Sequence, residues 1–357
     1  KGRLDHETRD ILRVGICQLL ILGIADHAAV NETVACARRP VRGLINAVLR
    51  RAIAARKALS AQVEDLPPPV RYSHPDWLYN RWKKQFGREN AVSLLNWNNR
   101  PAPVILRGNP IATSAGDAAH GSSLPGLAVE LGIGLAETSH PGYYALDAPL
   151  PADWIQRGLV YVQDPSTRHA VELLAPRPGE TVLDACAAPG GKAFLIASAM
   201  NNEGELLCTD SNQRRLPRLA GNLQRLHVSM AAIAAFDWTT EAPPGWHRRF
   251  DAILLDVPCS NTGVLRRRVD ARWRLQPRQI GALAEIQGLI LANALPCLKP
   301  GGRLVYSTCS LEPEENNLQV EALIASHPGL VLRETHQSLP FRDGADGAYA
   351  ALLVARA

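Results

Sequence analysis

Apolar residues in the first 65 positions recur at the spacing of α-helices. The first helix is marked by Ile11, Leu12, Val14, Gly15, Ile16, Leu19 and Leu20. A second segment, from Asn31, has an N-cap-type residue at its front, and Leu44–Leu49 marks a third. Residues 1–66 are therefore predicted to form a small all-α module. Because the chain starts at Lys1 rather than at Met, this module is expected to be truncated.

The middle of the chain, residues 67–163, is predicted to be a small α+β domain. A stiff linker precedes it, since the three prolines of Asp65–Pro69 cannot occupy a helix interior. A helix is expected to begin near Pro75, with an apolar side formed by Trp77, Leu78, Trp82 and Phe86. From Pro103 to Asp164, short apolar segments alternate with turn residues, as in short strands.

From residue 164 to the end, predicted strands alternate with predicted helices. The strands are Thr181–Ala185, Glu205–Asp210, Ala231–Ala235, Asp251–Asp256 and Gly302–Ser307. The helices between them include Lys192–Met200, Gln213–Leu226 and Pro277–Cys297. Leu330–Glu334 and Tyr349–Ala355 are predicted to close the sheet as an antiparallel pair. The pattern predicts an α/β fold in which residues 164–357 form a seven-stranded, doubly wound sheet.

Composition narrows the possible partners. A length of 357 residues suggests two or three domains, and the net charge of +5 is compatible with a polyanion. No uninterrupted apolar run reaches the roughly 18 residues needed to span a bilayer, so no membrane partner is expected. The seven cysteines form no CxxC pair, which argues against a disulfide framework or a metal site and favours a reducing cytoplasm.

Small residues follow the first strand of the predicted sheet, in the run Asp184–Lys192. The loop after this strand lies at the ligand-binding edge of such folds, and small residues let a ligand approach the backbone. The run is not GxGxxG, which disfavours a nicotinamide-dependent oxidoreductase. Asp210 and Asp237 follow the next two strands, where they suit the ribose hydroxyls and adenine amino group of an adenosine-type ligand.

Two cysteines follow the fourth and fifth strands of this sheet: Cys259, in Asp256–Ser260, and Cys309, in Ser307–Ser310. Because these strands are expected to be neighbours, both thiols should meet at one edge. A thiolate that adds to carbon 6 of cytosine activates carbon 5 for methylation and leaves by elimination. Asp256 is placed to protonate or hydrogen-bond ring nitrogen 3. This chemistry does not decide which cysteine attacks.

These motifs resemble the signatures of the RNA 5-methylcytosine methyltransferase family, over residues from about 160 to the end. The likeness extends through Gly263–Arg267 and Lys299–Gly302, while Ala193, Val257 and Asn261 depart from the usual residues. It implies that Cys309 is the nucleophile, that Cys259 assists product release and that Asp256 and Lys192 act in catalysis. It also implies that S-adenosylmethionine is the cofactor, with a Rossmann-like domain to hold it. The implied cofactor contacts are Cys186, Ala187, Ala188, Pro189, Gly190, Gly191, Lys192, Asp210, Asp237 and Asp256.

The N-terminal module, through Gly43–Arg50, resembles the NusB-type RNA-binding domain of family members that act on small-subunit ribosomal RNA. The resemblance therefore implies 16S ribosomal RNA as partner, before full subunit assembly, and a monomeric enzyme. An arginine cluster after Cys259 is then expected to hold RNA phosphates: Arg266, Arg267, Arg268 and Arg272. The alternatives are the same chemistry on transfer RNA or another ribosomal site, or a non-catalytic RNA-binding assembly factor.

Overall fold

The computed structural model describes residues 4–114, 124–130 and 132–356, and the chain divides into two compact units after Asp76. The first unit is helical: α1 His6–Leu20, α2 Asp26–Ala35, α3 Arg42–Ala54, α4 Arg56–Glu64 and α5 Pro68–Arg71. Gly15 lets α1 and α3 approach closely, since a Cβ there would lie 2.8 Å from the Leu49 side chain. The prediction of an all-α module is confirmed.

Two local predictions in this unit are corrected. The second helix begins at Asp26 rather than Asn31, and an acidic residue in the first turn suits a helix N-terminus. The proline-rich linker contains the short helix α5, because proline is tolerated in the first turn of a helix. The boundaries proposed at residues 66 and 163 stay predictions.

The second unit begins with a small α+β layer. Its elements are α6 Asp76–Phe86, α7 Arg88–Asn99, β1 Val104–Gly108, α8 Pro110–Ser114, α9 Leu124–Glu130, β2 Leu135–Glu137, β3 Tyr143–Leu146, α10 Ala152–Gln156 and β4 Val160–Val162. The strands form an antiparallel sheet in the order β2-β3-β1-β4. Leu106, Trp154 and Val160 fill its core.

The larger sheet contains seven strands in the order β10-β11-β9-β8-β5-β6-β7. The strands are β5 Thr181–Asp184, β6 Glu205–Asp210, β7 Ala231–Ala235, β8 Phe250–Asp256, β9 Leu298–Thr308, β10 Leu330–Ser338 and β11 Ala348–Ala355. Strands β5 to β9 run parallel, and β11 lies antiparallel between β9 and β10. The predicted α/β fold and the closing antiparallel pair are confirmed.

Helices cover both faces of this sheet: α11 Arg168–Leu174, α12 Gly191–Ala199, α13 Leu216–Arg225, α14 Ala271–Arg274, α15 Pro277–Ala294, α16 Asn317–Ser326 and α17 Pro340–Asp343. Phe194 and Leu219 pack on one face, while Leu291 and Leu323 pack on the other. Chain order reverses beside β5, whose neighbours are β6 and β8. Ligands of doubly wound folds bind at the carboxyl ends of the strands at this point.

Within the described part of the chain, one helix, Pro277–Cys297, is long and apolar enough to cross a membrane by length and composition. Its residues Ile290, Leu291 and Ala294 are buried in the core beneath the sheet, together with Leu304 and Tyr306. This packing is that of a core helix in a doubly wound fold.

Candidate active site at the carboxyl edge of the parallel sheet

The loop between β5 and α12 is held in place by the neighbouring strand and helix. The Ala187 amide donates to the Thr209 carbonyl at 2.8 Å, and Asn222 donates to the Pro189 carbonyl at 2.8 Å. Gly190 has a φ of 107°, a left-handed conformation that favours glycine. The loop therefore presents its backbone in a fixed conformation at the edge of the sheet.

Asp184, the last residue of β5, lies fully buried beneath this loop. Neither of its carboxylate oxygens meets a hydrogen-bond donor at ordinary geometry among the described residues. Burial, reinforced by the charge of Asp256, raises the pKa of Asp184 to about 7. A cationic group bound at the loop would compensate this carboxylate.

Asp210 and Asp237 follow successive strands but differ in their environments. Asp210 is buried, and its Oδ2 accepts a 3.3 Å hydrogen bond from the Ala188 amide and lies 3.2 Å from Arg215 Nη1. Asp237 is exposed, and its Oδ1 accepts from the Thr239 amide at 3.0 Å. Asp210 is thus fixed to the glycine-containing loop, whereas Asp237 lies at the rim.

The two cysteines predicted to act together are in contact. The Sγ atoms of Cys259 and Cys309 are 3.2 Å apart, and both side chains are half-buried. Their strands are parallel neighbours, with Asp256 paired in register with Ser307. Cys309 Sγ also donates to Asn261 Oδ1 at 3.3 Å. The hydrogen bond with Cys309, burial and the charge of Glu315 raise the pKa of Cys259 well above its usual range.

Lys192 and Asp256 link the loop after β5 to the loop after β8. Lys192 Nζ donates to Asp256 Oδ2 at 2.7 Å, and Ser307 Oγ donates to the other carboxylate oxygen at 3.2 Å. Burial alone would lower the pKa of Lys192, but Asp256, with a smaller contribution from Cys309, raises it above its ordinary value. The Lys192 ammonium therefore interacts with the Asp256 carboxylate and with the Cys309 thiol.

Cys186 lies in the loop after β5 rather than with the thiol pair. Burial and the charge of Asp184 raise the pKa of its thiol, which keeps it protonated at neutral pH. Among the described residues, no group of three or more His, Cys, Asp or Glu side chains is arranged to hold a metal ion.

Residues 171–353 match the family described as 16S rRNA methyltransferase RsmB/F. Residues 1–54 match the NusB family, and residues 74–121 match the ferredoxin-like domain of RsmF/B-like methyltransferases. The ribosomal RNA small subunit methyltransferase B of Erwinia tasmaniensis is 37% identical over 365 residues, which cover 96% of this chain and 81% of that protein. The protein of the same name from Escherichia coli O7:K1 is 37% identical over 361 residues, with the same coverage of both chains.

This chain belongs to the RsmB/F family of 16S rRNA methyltransferases. The solved structure of PH0851 has the same fold, with a TM-score of 0.78 and 24% identity, covering 98% of this chain and 82% of that one. The chain is therefore an S-adenosylmethionine-dependent rRNA methyltransferase with a NusB domain, a ferredoxin-like domain and a Rossmann-like sheet.

The residues at the loop after β5 fit the cofactor of this family. S-adenosylmethionine carries a cationic amino group and a cationic sulfonium, and Asp184 presents a buried carboxylate without a hydrogen-bond partner among the described residues. A Cβ at Gly191 would lie 3.0 Å from the Tyr161 and Gln163 side chains, so a larger residue at this helix start would require them to shift. A buried carboxylate at Asp210 suits ribose hydroxyls.

The predicted RNA-binding arginines of the RsmB/F chain are largely engaged within the protein. Arg266 is buried and pairs with Asp164 and Asp346, which also bind Arg267. Arg272 is 3% exposed and donates to the Asn98 carbonyl at 2.8 Å and to Asn99 Oδ1 at 2.7 Å. These contacts favour a structural role for Arg266 and Arg272, and RNA binding by the cluster stays a prediction.

Exposed groups do occur in the same segment. Arg268 is exposed, and the Trp273 side chain is 60% exposed. Trp273 is not among the predicted RNA-binding residues, although an aromatic residue among arginines is typical of a nucleic-acid contact. Glu315 is not among the predicted site residues either, since the sequence indicates only that it lies six residues after Cys309.

Proposed function

We propose that this enzyme methylates carbon 5 of a cytosine in 16S ribosomal RNA through a covalent adduct between a cysteine and carbon 6. The observation that carries the proposal is the contact between two thiols, 3.2 Å apart, beside the Lys192–Asp256 ion pair. Methylation of a base nitrogen or of a ribose hydroxyl needs no nucleophilic thiol. Carbon 5 of cytosine does need one, because it becomes nucleophilic only after addition to carbon 6.

Cys309 is the attacking residue in this proposal, and Cys259 assists release. The Lys192 ammonium interacts with Cys309, and a neighbouring cation is typical of a nucleophilic cysteine. The pKa of Cys259 is raised, which favours its thiol. As the bond from Cys309 Sγ to carbon 6 forms, the electron pair of the ring shifts toward nitrogen 3. After methyl transfer to carbon 5, a base takes the carbon 5 proton, the C–H electron pair restores the double bond between carbons 5 and 6, and Cys309 leaves as a thiolate, a release that Cys259 assists.

Asp256 and Lys192 handle the proton at ring nitrogen 3. Asp256 is held by donors on both carboxylate oxygens, Lys192 at 2.7 Å and Ser307 at 3.2 Å. The Asp256 carboxylate accepts a hydrogen bond from the exocyclic amino group of cytosine. It also relays a proton from the Lys192 ammonium to ring nitrogen 3. The pair therefore supplies a proton to nitrogen 3 as the adduct forms and recovers it on elimination.

The cofactor would be held by the loop residues 186–191 and by carboxylates on either side of them. Asp210 would bind the ribose hydroxyls and Asp237 the adenine amino group, while the buried Asp184 would compensate the positive charge of the cofactor from beneath the loop. When bound, S-adenosylmethionine supplies an electrophilic methyl group on its sulfonium. Lys192 and Asp256 are assigned both to the cofactor site and to the site that binds cytosine. The pair would therefore set the position of the cytosine relative to the cofactor loop.

The RNA must present its cytosine out of the stack, since carbon 6 is inaccessible within a helix. Arg268 and Trp273 are exposed in the segment after Cys259, where a guanidinium suits a phosphate and an indole suits an unstacked base. We expect a monomer that acts in the cytoplasm on 16S rRNA before subunit assembly is complete.

The proposal is tested with methyl-labelled S-adenosylmethionine and three substrates: naked 16S rRNA, small-subunit particles and transfer RNA. Labelled RNA is digested to nucleosides and analysed by mass spectrometry. We expect 5-methylcytosine in 16S rRNA and none with a Cys309→Ala enzyme. A label on any other nucleoside overturns the chemistry, and 5-methylcytosine formed only in transfer RNA overturns the substrate.

A further inference from the structure

Glu315 connects the two loops that carry the cysteines. Its side chain is fully buried, and its Oε1 accepts a 2.8 Å hydrogen bond from the backbone amide of Ser260. The Ser260 hydroxyl and the Ser310 hydroxyl both donate to its Oε2. Ser260 directly follows Cys259, and Ser310 directly follows Cys309. One carboxylate therefore binds the neighbour of each cysteine.

The elements beneath the site hold this carboxylate in turn. Gln287 Nε2 donates to Glu315 Oε1 at 3.0 Å and to the Pro258 carbonyl at 3.0 Å. The Tyr306 hydroxyl donates to the Glu315 carbonyl at 2.6 Å. Among the described residues, no lysine or arginine forms an ion pair with Glu315. The Glu315 carboxylate is therefore held by hydrogen bonds, and no ion pair neutralises its negative charge.

We propose that Glu315 is a positioning residue, which holds the cysteine loops at thiol–thiol contact and places a negative charge beside Cys259. This inference rests on the proposed roles of the two cysteines. Two of the three serine contacts go to Ser260, and the charge of Glu315 acts on Cys259. Cys309 instead has the Lys192 ammonium near it. The site thus gives two chemically identical thiols opposite electrostatic surroundings.

Among the described residues, the groups whose charges act most on Cys259 are Cys309 and Glu315, and neither of them is a cation. The hydrogen bond with Cys309 contributes most to the raised pKa of Cys259, followed by burial, with Glu315 adding to both. Removing the charge of Glu315 should therefore lower the pKa of Cys259 without changing the sulfur itself.

The first experiment compares Glu315→Gln with Glu314→Gln in single-turnover methyl transfer to 16S rRNA. Glu314 is a matched control, because its side chain is 40% exposed and pairs with Arg81 away from the cysteines. We expect a loss on the order of 10- to 100-fold for Glu315→Gln, since misplacement of reacting groups by about 1 Å has effects of this size. Affinity for S-adenosylmethionine should be unchanged within about twofold, which separates a positioning defect from a folding defect. Rates equal to those of Glu314→Gln would overturn the proposal.

The second experiment needs no RNA. Alkylation of Cys259 by iodoacetamide is followed against pH by peptide mass spectrometry, in Cys309→Ser and in the double variant that also carries Glu315→Gln. Replacement of Glu315 should lower the midpoint pH, and an unchanged midpoint overturns the electrostatic role. If the enzyme did not methylate cytosine, the proposed function would be refuted. The midpoint pH of Cys259 alkylation would still test the role of Glu315. If Glu315→Gln does not fold, Ser310→Ala removes one of the three serine contacts to Glu315, together with the bonds of that hydroxyl to Ser260, Thr262 and the Glu312 amide, and should give a smaller loss of single-turnover rate; a normal rate overturns the proposal.

Discussion

Lys192 donates a 2.7 Å hydrogen bond to Asp256 and so joins the loop after β5 to the loop after β8. The first of these loops is the proposed cofactor loop, and the second leads directly to Cys259. The Lys192 ammonium also interacts with Cys309, whereas the Glu315 carboxylate acts on Cys259.

Asp256→Asn should reduce methyl transfer by about 10²- to 10⁴-fold, the usual contribution of a positioned acid or base. The amide cannot hold the Lys192 proton, so nitrogen 3 loses its proton source while the shape of the site is kept. Single-turnover rates at saturating cofactor measure the effect. The Asp237→Asn enzyme is a suitable comparison, because Asp237 is exposed at the rim. Retention of the wild-type rate by Asp256→Asn would contradict the proton role.

Cys259→Ala should accumulate a covalent protein–RNA adduct, because Cys309 still attacks but release is impaired. The adduct is detected as a shifted band on a denaturing gel, with the wild-type enzyme for comparison. Cys309→Ala and the double variant should give no band and no methyl transfer. If the adduct instead forms in Cys309→Ala, the two cysteines have the opposite roles.

Asp210→Ala should weaken S-adenosylmethionine binding about 10- to 100-fold, which corresponds to the loss of hydrogen bonds to a charged group. Asp210 is buried and bonded to the Ala188 amide, whereas Asp237 is exposed, so Asp237→Ala should have the smaller effect. Titration calorimetry with the cofactor measures both variants. Equal affinity of Asp210→Ala and wild type would rule out the ribose assignment.

Asp184→Asn tests the buried carboxylate under the cofactor loop. The folded-state pKa of about 7 lies above the ordinary aspartate value of 3.8, so the contribution of Asp184 to stability is fully present below about pH 4. It is lost as the pH rises toward 7, because the folded state then contains an ionised carboxylate without a partner. Relative to Asp184→Asn, the cofactor-free wild type should therefore become less stable between about pH 4 and pH 7, by at most about 4 kcal/mol.

Urea unfolding at several pH values measures this difference, and a constant gap between the two proteins would show that Asp184 does not titrate in this range. The cofactor should narrow the gap at pH 8, since its cationic groups compensate the carboxylate. Asp210→Asn is a suitable control, because the carboxylate of Asp210 already has the Ala188 amide and Arg215 as partners.

The order of strands and helices was predictable because each parallel strand is a short apolar run that ends in a polar or small residue, as at Asp184, Asp210 and Asp256. The thiol contact followed from the adjacency of the fourth and fifth strands. The partners of the arginines were not predictable, because Arg266 meets Asp346, 80 residues later, only through the tertiary fold. Asn261 departs from the usual residue of the family, and only the fold shows that its side chain accepts a hydrogen bond from Cys309.

In the arginine segment, the residues that stabilise the protein are expected to differ from those that bind RNA. Arg266→Met should destabilise the protein by about 3–5 kcal/mol, because it leaves Asp164 and Asp346 buried with one less cation. Arg268→Ala and Trp273→Ala should leave thermal stability unchanged but weaken binding of 16S rRNA fragments, and Arg268→Ala should also reduce the salt dependence of binding. Thermal unfolding and fluorescence anisotropy at two salt concentrations measure both properties. Normal RNA affinity in Arg268→Ala and Trp273→Ala would exclude this surface as the RNA contact.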